Sequence, residues 1–268
     1  MLGQQLALGR TAEIFAWGKG EQYVIKLPRE GFTNEMIAYE AKITQQLTPL
    51  GLPMPAMIET AQVGERLGIV YERVNGQELG KQLEAKPWTL FNIARRMADL
   101  HFAIHQHAAP PELPSLRERM QREITTADLP DHLRADILAS FQRLPDSDRV
   151  CHVDFHMLNV LSNATGDVVI DWISAAKGHP FADVARTYIN ILLWPPRKGL
   201  MDFVQRLVQY LMSTIYVRRY TQHQPAIDKQ WPAWIVCSAA SRLAERIAGE
   251  RETLLRIIDD YEEYLEQG

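Results

Sequence analysis

Four polar side chains lie close enough along this chain to share one task. Asp154 is followed five residues later by Asn159, and a second aspartate, Asp171, closes the apolar run Val168-Val169-Ile170. His152 stands two residues before Asp154. A carboxylate within reach of a hydroxyl can take its proton. A second carboxylate and an amide oxygen make the hard oxygen environment that magnesium prefers, with some of its waters retained. In-line transfer of a phosphoryl group needs both parts, a hydroxyl aimed at phosphorus and cations against the phosphate oxygens. Taken singly, an aspartate before a strand is usually a turn residue and a histidine usually a packed one. The inference rests on the ordered set.

The flanking chain suits the positioning of these groups. Arg149 to Val153 is short and rich in strand formers, and Val160-Leu161-Ser162 and Val168-Val169-Ile170 flank the turn-forming run Asn163-Ala164-Thr165-Gly166-Asp167. The pattern predicts a β-hairpin with Asn159 at its entry and Asp171 at its exit, which brings the two expected metal ligands side by side. Nearer the N-terminus, Ile14 to Trp17 and Tyr23 to Leu27 read as strands around Gly18-Lys19-Gly20-Glu21. Alternation along the second strand puts Lys26 on the face of Val24, opposite Ile25. Thr33 to Leu47 reads as a helix with Thr33 as N-cap and Met36, Ile37, Ile43 and Leu47 on one face. It offers Glu35 and Glu40 as partners for Lys26.

The ordered motifs resemble a known family. His152-x-Asp154-x-x-x-x-Asn159 has the spacing of the catalytic loop of protein kinases. With His156, Asn159-Val-Leu, Ile-Asp171-Trp and Gly178-x-Pro180-x-x-Asp183-x-Ala185-Arg186, the chain resembles the aminoglycoside phosphotransferase and choline kinase family from about Leu8 to Arg186. The resemblance implies an α+β, protein-kinase-like fold of two lobes. An N-terminal antiparallel sheet with one helix would occupy residues 1–74 and bind nucleotide. A larger helical lobe at 75–268 would carry the catalytic loop and the acceptor site. ATP and magnesium are implied, with a small-molecule hydroxyl as acceptor. Asp154 is expected as the catalytic base, Asn159 and Asp171 as metal ligands, and His152 as a brace for the loop. By resemblance Glu40 rather than Glu35 pairs with Lys26 to hold the α- and β-phosphates. Glu72 C=O and Val74 N–H are expected to hold the adenine. Thr11 is expected over the phosphates, in a loop with one glycine, Gly9, where protein kinases have three. No G-x-x-x-x-G-K-[ST] occurs, which argues against a P-loop NTPase. Asp183 is expected to cap the following helix or brace the loop, and His156 to brace it or touch phosphate.

Val153 stands where the family usually has glycine, Met157 where it often has proline, and Ile173 where relatives often carry an acidic or small residue. These departures keep a second reading open, a nucleotide-binding regulatory protein of the same fold without turnover. A protein-directed kinase is disfavoured, since no D-F-G and A-P-E segment follows Asp171.

The rest of the chain reads as helical: Thr89 to Gln106, Leu116 to Ile124, Leu133 to Leu144, Val184 to Leu193, Met201 to Val217, Trp231 to Ala248 and Thr253 to Leu265. A length of 268 residues can bury a substantial core. A net charge of −4 gives no basic footprint for nucleic acid. Two distant cysteines suggest neither a disulfide framework nor a zinc site. With no leader pattern and no apolar run of membrane length, a soluble cytoplasmic protein is the expectation. The acceptor has only faint signals. The acidic run Asp259 to Glu266 could steer a polycation, and Trp194, Trp231 and Trp234 could wall a quaternary amine. A solvated helix face and ordinary packing explain them as well.

Overall fold

The structure, a computed structural model, describes residues 2–9, 11–19, 22–194, 200–225 and 227–261. The chain runs β1 (Leu2–Leu8), β2 (Ala12–Trp17), β3 (Tyr23–Pro28), α1 (Asn34–Leu47), β4 (Met57–Val63), β5 (Arg66–Glu72), β6 (Gln77–Glu78), α2 (Leu79–Ala85) and α3 (Leu90–His105). It continues with α4 (Leu116–Thr126), α5 (Asp131–Arg143), β7 (Arg149–Cys151), β8 (Val160–Asn163), β9 (Gly166–Val169) and β10 (Ala176–Gly178). It ends with α6 (Pro180–Leu192), α7 (Leu200–His223), α8 (Ile227–Leu243) and α9 (Arg251–Tyr261). Contacts divide it into two compact units, Met1–Lys81 with Leu158–Ser174, and Gln82–Met157 with Ala175–Gly268. The hairpin at 158–174 thus groups with the N-terminal strands, whereas a division at residue 74 would leave it with the helices.

The first unit is built on an antiparallel sheet in the order β1-β2-β3-β5-β4. Period-two alternation sorts its two faces. Ile25, Leu27 and Val70 form one core with Phe15, Trp17 and Tyr23 packed against it. On the other face Ile69 packs on Ile37 and Ala41 of α1. Lys26 pairs across the ladder with Ile69, so it belongs to the face that α1 covers. A second small sheet, β6-β8-β9, holds the expected hairpin. Thr33 sits at the N-cap of α1 in extended conformation, but its hydroxyl makes no capping bond.

The second unit is helical around the two-stranded pair β7–β10. In α3 the buried residues Leu90, Ile93, Ala94, Met97, Ala98, His101, Ile104 and His105 follow the helical period without a break. Both histidines therefore fall on the core face. Gly178 of β10 has a packing reason: a Cβ there would lie 2.6 Å from Cβ of Leu116, at the start of α4. Gly178→Ala is expected to cost about 1–3 kcal/mol, the usual range for overpacking. Urea unfolding checks this, and an unchanged midpoint would mean that α4 yields freely. Among the described residues no helix is long and apolar enough to cross a membrane.

Candidate functional site

The expected functional residues fall on both units. In the first, Lys26 Nζ lies 2.8 Å from Oε1 of Glu40 and 2.9 Å from Oδ1 of Asp171. Strand alternation aims the lysine at α1, and the helical period places Glu40 on the face turned to it. Glu35, the competing partner, is exposed. Burial alone would push the Lys26 ammonium down, but Glu40 and Asp171 outweigh it and hold it above its ordinary range. Lys26 is therefore a charged, buried cation with two acceptors, one of which, the Asp171 side chain, remains 35% exposed. Tyr71 donates its hydroxyl to the same Glu40 oxygen at 3.2 Å.

The hairpin forms as its turn residues require. Asn163 Oδ1 accepts from the amides of Thr165 and Gly166, and β8 pairs with β9 from Val160↔Val169 to Asn163↔Gly166. Just beyond the ladder the amide of Ile170 donates to the carbonyl of Asn159 at 2.9 Å. Asn159 and Asp171 are thus neighbours at the open end. Asp171 has φ 65°, the left-handed region that aspartate and asparagine tolerate better than most residues. An amide oxygen beside a part-exposed carboxylate, both hard donors, fits a magnesium ion.

The other nucleotide candidates are less defined. Thr11 lies in the bend between β1 and β2, where its carbonyl accepts from the amide of Arg29. Arg10 in that loop, and Gly20 and Glu21 of the next turn, lie outside the described residues. Glu72 ends β5 with its amide on the carbonyl of Ala56, and Val74 follows in the irregular stretch before β6.

In the second unit, Asp154 follows a loop with an unusual backbone. Val153 has φ 67°, where a β-branched residue is strained and glycine would not be. Asp183 holds the loop in that shape: its two carboxylate oxygens accept from the amides of His152, at 2.5 Å, and Val153, at 2.9 Å. Nδ1 of His152 accepts from the amide of Asp154 at 3.3 Å. His179, not Asp183, caps α6, accepting from the amide of Phe181 at 3.2 Å. Burial would raise the Asp154 carboxyl, but His156, His152 and Arg186 more than compensate and keep it well below the usual range. Nε2 of His156 lies 3.6 Å from Oδ2, and Nδ2 of Asn190 donates to Oδ1 at 3.3 Å. Asp154 is thus an ionised carboxylate in a polar surround. Asn190 is not among the residues expected from the motifs, although an asparagine inside the apolar run Tyr188-Ile-Asn-Ile-Leu-Leu-Trp194 was a usable signal.

Asp183 also receives His101 and His105, which are fully enclosed. Burial, with His101 beside it, pushes the His105 ring down to about 4 against the opposite pull of Asp183. An unfolded histidine titrates near 6.5, so on acidification the unfolded chain takes up a proton before the folded one does. The stabilisation is whole above pH 6.5 and is lost between about 6.5 and 4, on the order of 2 kcal/mol by pH 5. Urea midpoints at pH 7 and pH 5 should differ in that direction, with a smaller difference in His105→Gln. Equal midpoints at both pH values would show that the ring takes up its proton in the fold as readily as in the unfolded chain.

The aromatic wall suggested for a quaternary amine does not form from Trp231 and Trp234. Trp234 is buried, stacked on His179 at 5.1 Å, while Trp231 meets Tyr188 edge-on at 5.5 Å. Asp259 and Asp260 are exposed on α9, and residues 262–266 of the acidic run lie outside the described residues.

Residues 3–220 match the phosphotransferase enzyme family. No curated protein sequence matches the chain. Among solved structures, amicoumacin kinase hAmiN in complex with AMP-PNP, Ca2+ and Ami is similar at TM-score 0.61 and 16% identity, over 97% of this chain and 87% of that one. A choline/ethanolamine kinase family protein from Mesorhizobium loti gives 0.61 and 13%, over 99% and 88%. An aminoglycoside-3'-phosphotransferase of type VIII gives 0.57 and 17%, over 96% and 91%. At these identities the likeness is one of fold, a kinase-like arrangement of an N-terminal antiparallel sheet followed by helices.

Proposed function

We propose a function from one premise: the chain belongs to the phosphotransferase enzyme family, which it matches over residues 3–220. It transfers the γ-phosphate of ATP to a hydroxyl group of a small molecule, in the presence of magnesium. The observation that carries this reading is the Lys26 ammonium held between Glu40 and Asp171. A buried cation bonded to one enclosed and one part-exposed carboxylate is poised to meet phosphate oxygens. Of the similar structures, that of amicoumacin kinase contains AMP-PNP and Ca2+, which accords with nucleotide use.

The roles follow from the chemistry of each group. Asp154, ionised and steadied by Asn190, accepts the proton of the acceptor hydroxyl. The hydroxyl oxygen forms its bond to the γ-phosphorus as the bond from that phosphorus to the bridging oxygen breaks, and ADP leaves with the electron pair. Asn159 and Asp171 would hold magnesium, which supplies positive charge against the phosphate oxygens. Lys26, oriented by Glu40, contacts the α- and β-phosphates. Thr11 lies in the loop assigned over the phosphates, and the backbone at Glu72 and Val74 holds the adenine. Nucleotide binding is thus assigned to residues 1–74, and the catalytic loop and acceptor site to residues 75–268.

The silent, regulatory alternative rests on Val153, Met157 and Ile173, with the glycine-poor loop at Gly9. Val153 weakens it: the valine adopts a left-handed backbone open to glycine, so the loop reaches that form despite the side chain. The experiment is ADP release with magnesium-ATP across aminoglycosides, macrolides, choline, ethanolamine, homoserine and simple sugars. Acceptor-dependent release lost in Asp154→Asn supports the kinase reading and identifies the acceptor class. ATP binding with no release for any acceptor favours the regulatory one.

A further inference from the structure

His101 and His105 stand one turn apart on α3, and Tyr216 and Tyr220 stand one turn apart on α7. The pairs meet in register: Nδ1 of His101 lies 2.6 Å from the Tyr216 hydroxyl, and Nδ1 of His105 lies 2.7 Å from the Tyr220 hydroxyl. Both Nε2 atoms converge on one oxygen of Asp183. His105 reaches it at 3.3 Å within hydrogen-bond geometry, and His101 lies at 3.0 Å, off the hydrogen-bond line. All five side chains are buried. The Asp183 carboxylate in turn holds the amides of His152 and Val153.

Protonation follows from the donor inventory. A carboxylate only accepts, so the histidine nitrogen facing it must carry a proton. A neutral imidazole has one N–H, which leaves Nδ1 as an acceptor. The tyrosine hydroxyl must then donate to it. In the opposite tautomer a bare Nε2 would face the buried carboxylate, lone pair against lone pair. Removing the hydroxyl therefore removes the group that selects the ring's tautomer, while the ring and its packing stay.

We propose that Tyr216 and Tyr220 are positioning residues for the loop that carries Asp154. By donating to Nδ1 of His101 and His105 they keep both rings in the Nε2–H form. The Asp183 carboxylate so aimed fixes the consecutive amides of His152 and Val153 in their strained conformation. The catalytic role of that loop rests on the proposed function; the hydrogen-bond chain from α7 to the loop does not. A competing use of the same atoms is metal binding, since His101 Nε2, His105 Nε2 and an Asp183 oxygen lie within 4.8 Å of one another. A metal requires both Nε2 atoms bare, the opposite protonation.

The test uses the full chain. Long-range proton–nitrogen correlation spectra of histidine-labelled protein should show the Nε2–H tautomer for His101 and His105. Amide exchange of residues 150–157 in Tyr220→Phe and Tyr216→Phe should speed about tenfold, the equivalent of one buried hydrogen bond. With an acceptor in hand, kcat should fall by a similar factor with the KM for ATP unchanged. His105→Gln, which retains a donor for Asp183, should preserve more turnover than His105→Leu. A charged or Nδ1–H ring, stoichiometric zinc in the purified protein, or wild-type exchange in both tyrosine variants would overturn the proposal. Faster exchange in the variants of a protein that phosphorylates no acceptor would uphold it and count against the kinase reading alone.

Discussion

Asp154→Asn is expected to keep the fold and nucleotide binding and to lose about 10²–10⁴-fold in turnover, the usual worth of a positioned general base. Asparagine has the size of the side chain it replaces, and the Asp154 side chain is 39% exposed, so packing loses nothing. The carbonyl oxygen of the new amide can still accept from Asn190, which leaves the rotamer supported. The change removes only the charge that takes up a proton. His156, His152 and Arg186 stabilise that charge in the wild type. The measurement is kcat at saturating ATP with the acceptor found in the panel, beside calorimetric ATP binding. Turnover equal to wild type removes Asp154 from the base role.

Asp171→Asn should abolish the magnesium dependence of ATP binding, weakening it by more than about 10²-fold, beyond what the loss of an outer-shell partner does. Asparagine is a better test than alanine. The residue sits at φ 65°, where alanine would add backbone strain of about 1–2 kcal/mol. Asparagine tolerates that region and isolates the loss of charge. Lys26 retains Glu40 at 2.8 Å, so the buried lysine is not stranded by the change. ATP titrations with and without magnesium decide it. A variant that still gains affinity from the metal as wild type does would sink the ligand assignment.

What could be read in advance was what neighbours in sequence can encode. Asn159 and Asp171 meet because a turn-rich run between two strand-forming triplets closes on itself. Lys26 finds Glu40 because one alternation of period two and one of period 3.6 each fix a face. Edge strands were harder. β1 is almost wholly exposed and β4 exposes Glu59, Thr60 and Gln62, so neither has the apolar alternation that marks a half-buried strand. The helix expected from Trp231 to Ala248 instead runs Ile227–Leu243, so Pro232 falls inside it rather than at its start, where a missing N–H is harmless. The brace behind the loop left no local trace. Asp183 is 78 positions from His105, and His105 is 115 from Tyr220. Two histidines four apart on an apolar face were a hint, but their partners emerge only when α3 and α7 pack.

The make-up of the first unit has a consequence for how the chain is born. Its last piece, Leu158–Ser174, leaves the ribosome about 90 residues after Lys81. At ~5–20 residues per second that interval is on the order of ten seconds. Until then β6 has no β8 to pair with, and Lys26 lacks one of its two counter-charges. The five-stranded sheet has all its strands by then, but the first unit spends that time unfinished, with β6 unpaired. A strand-rich fragment cut at residue 81 would remain permanently in that condition.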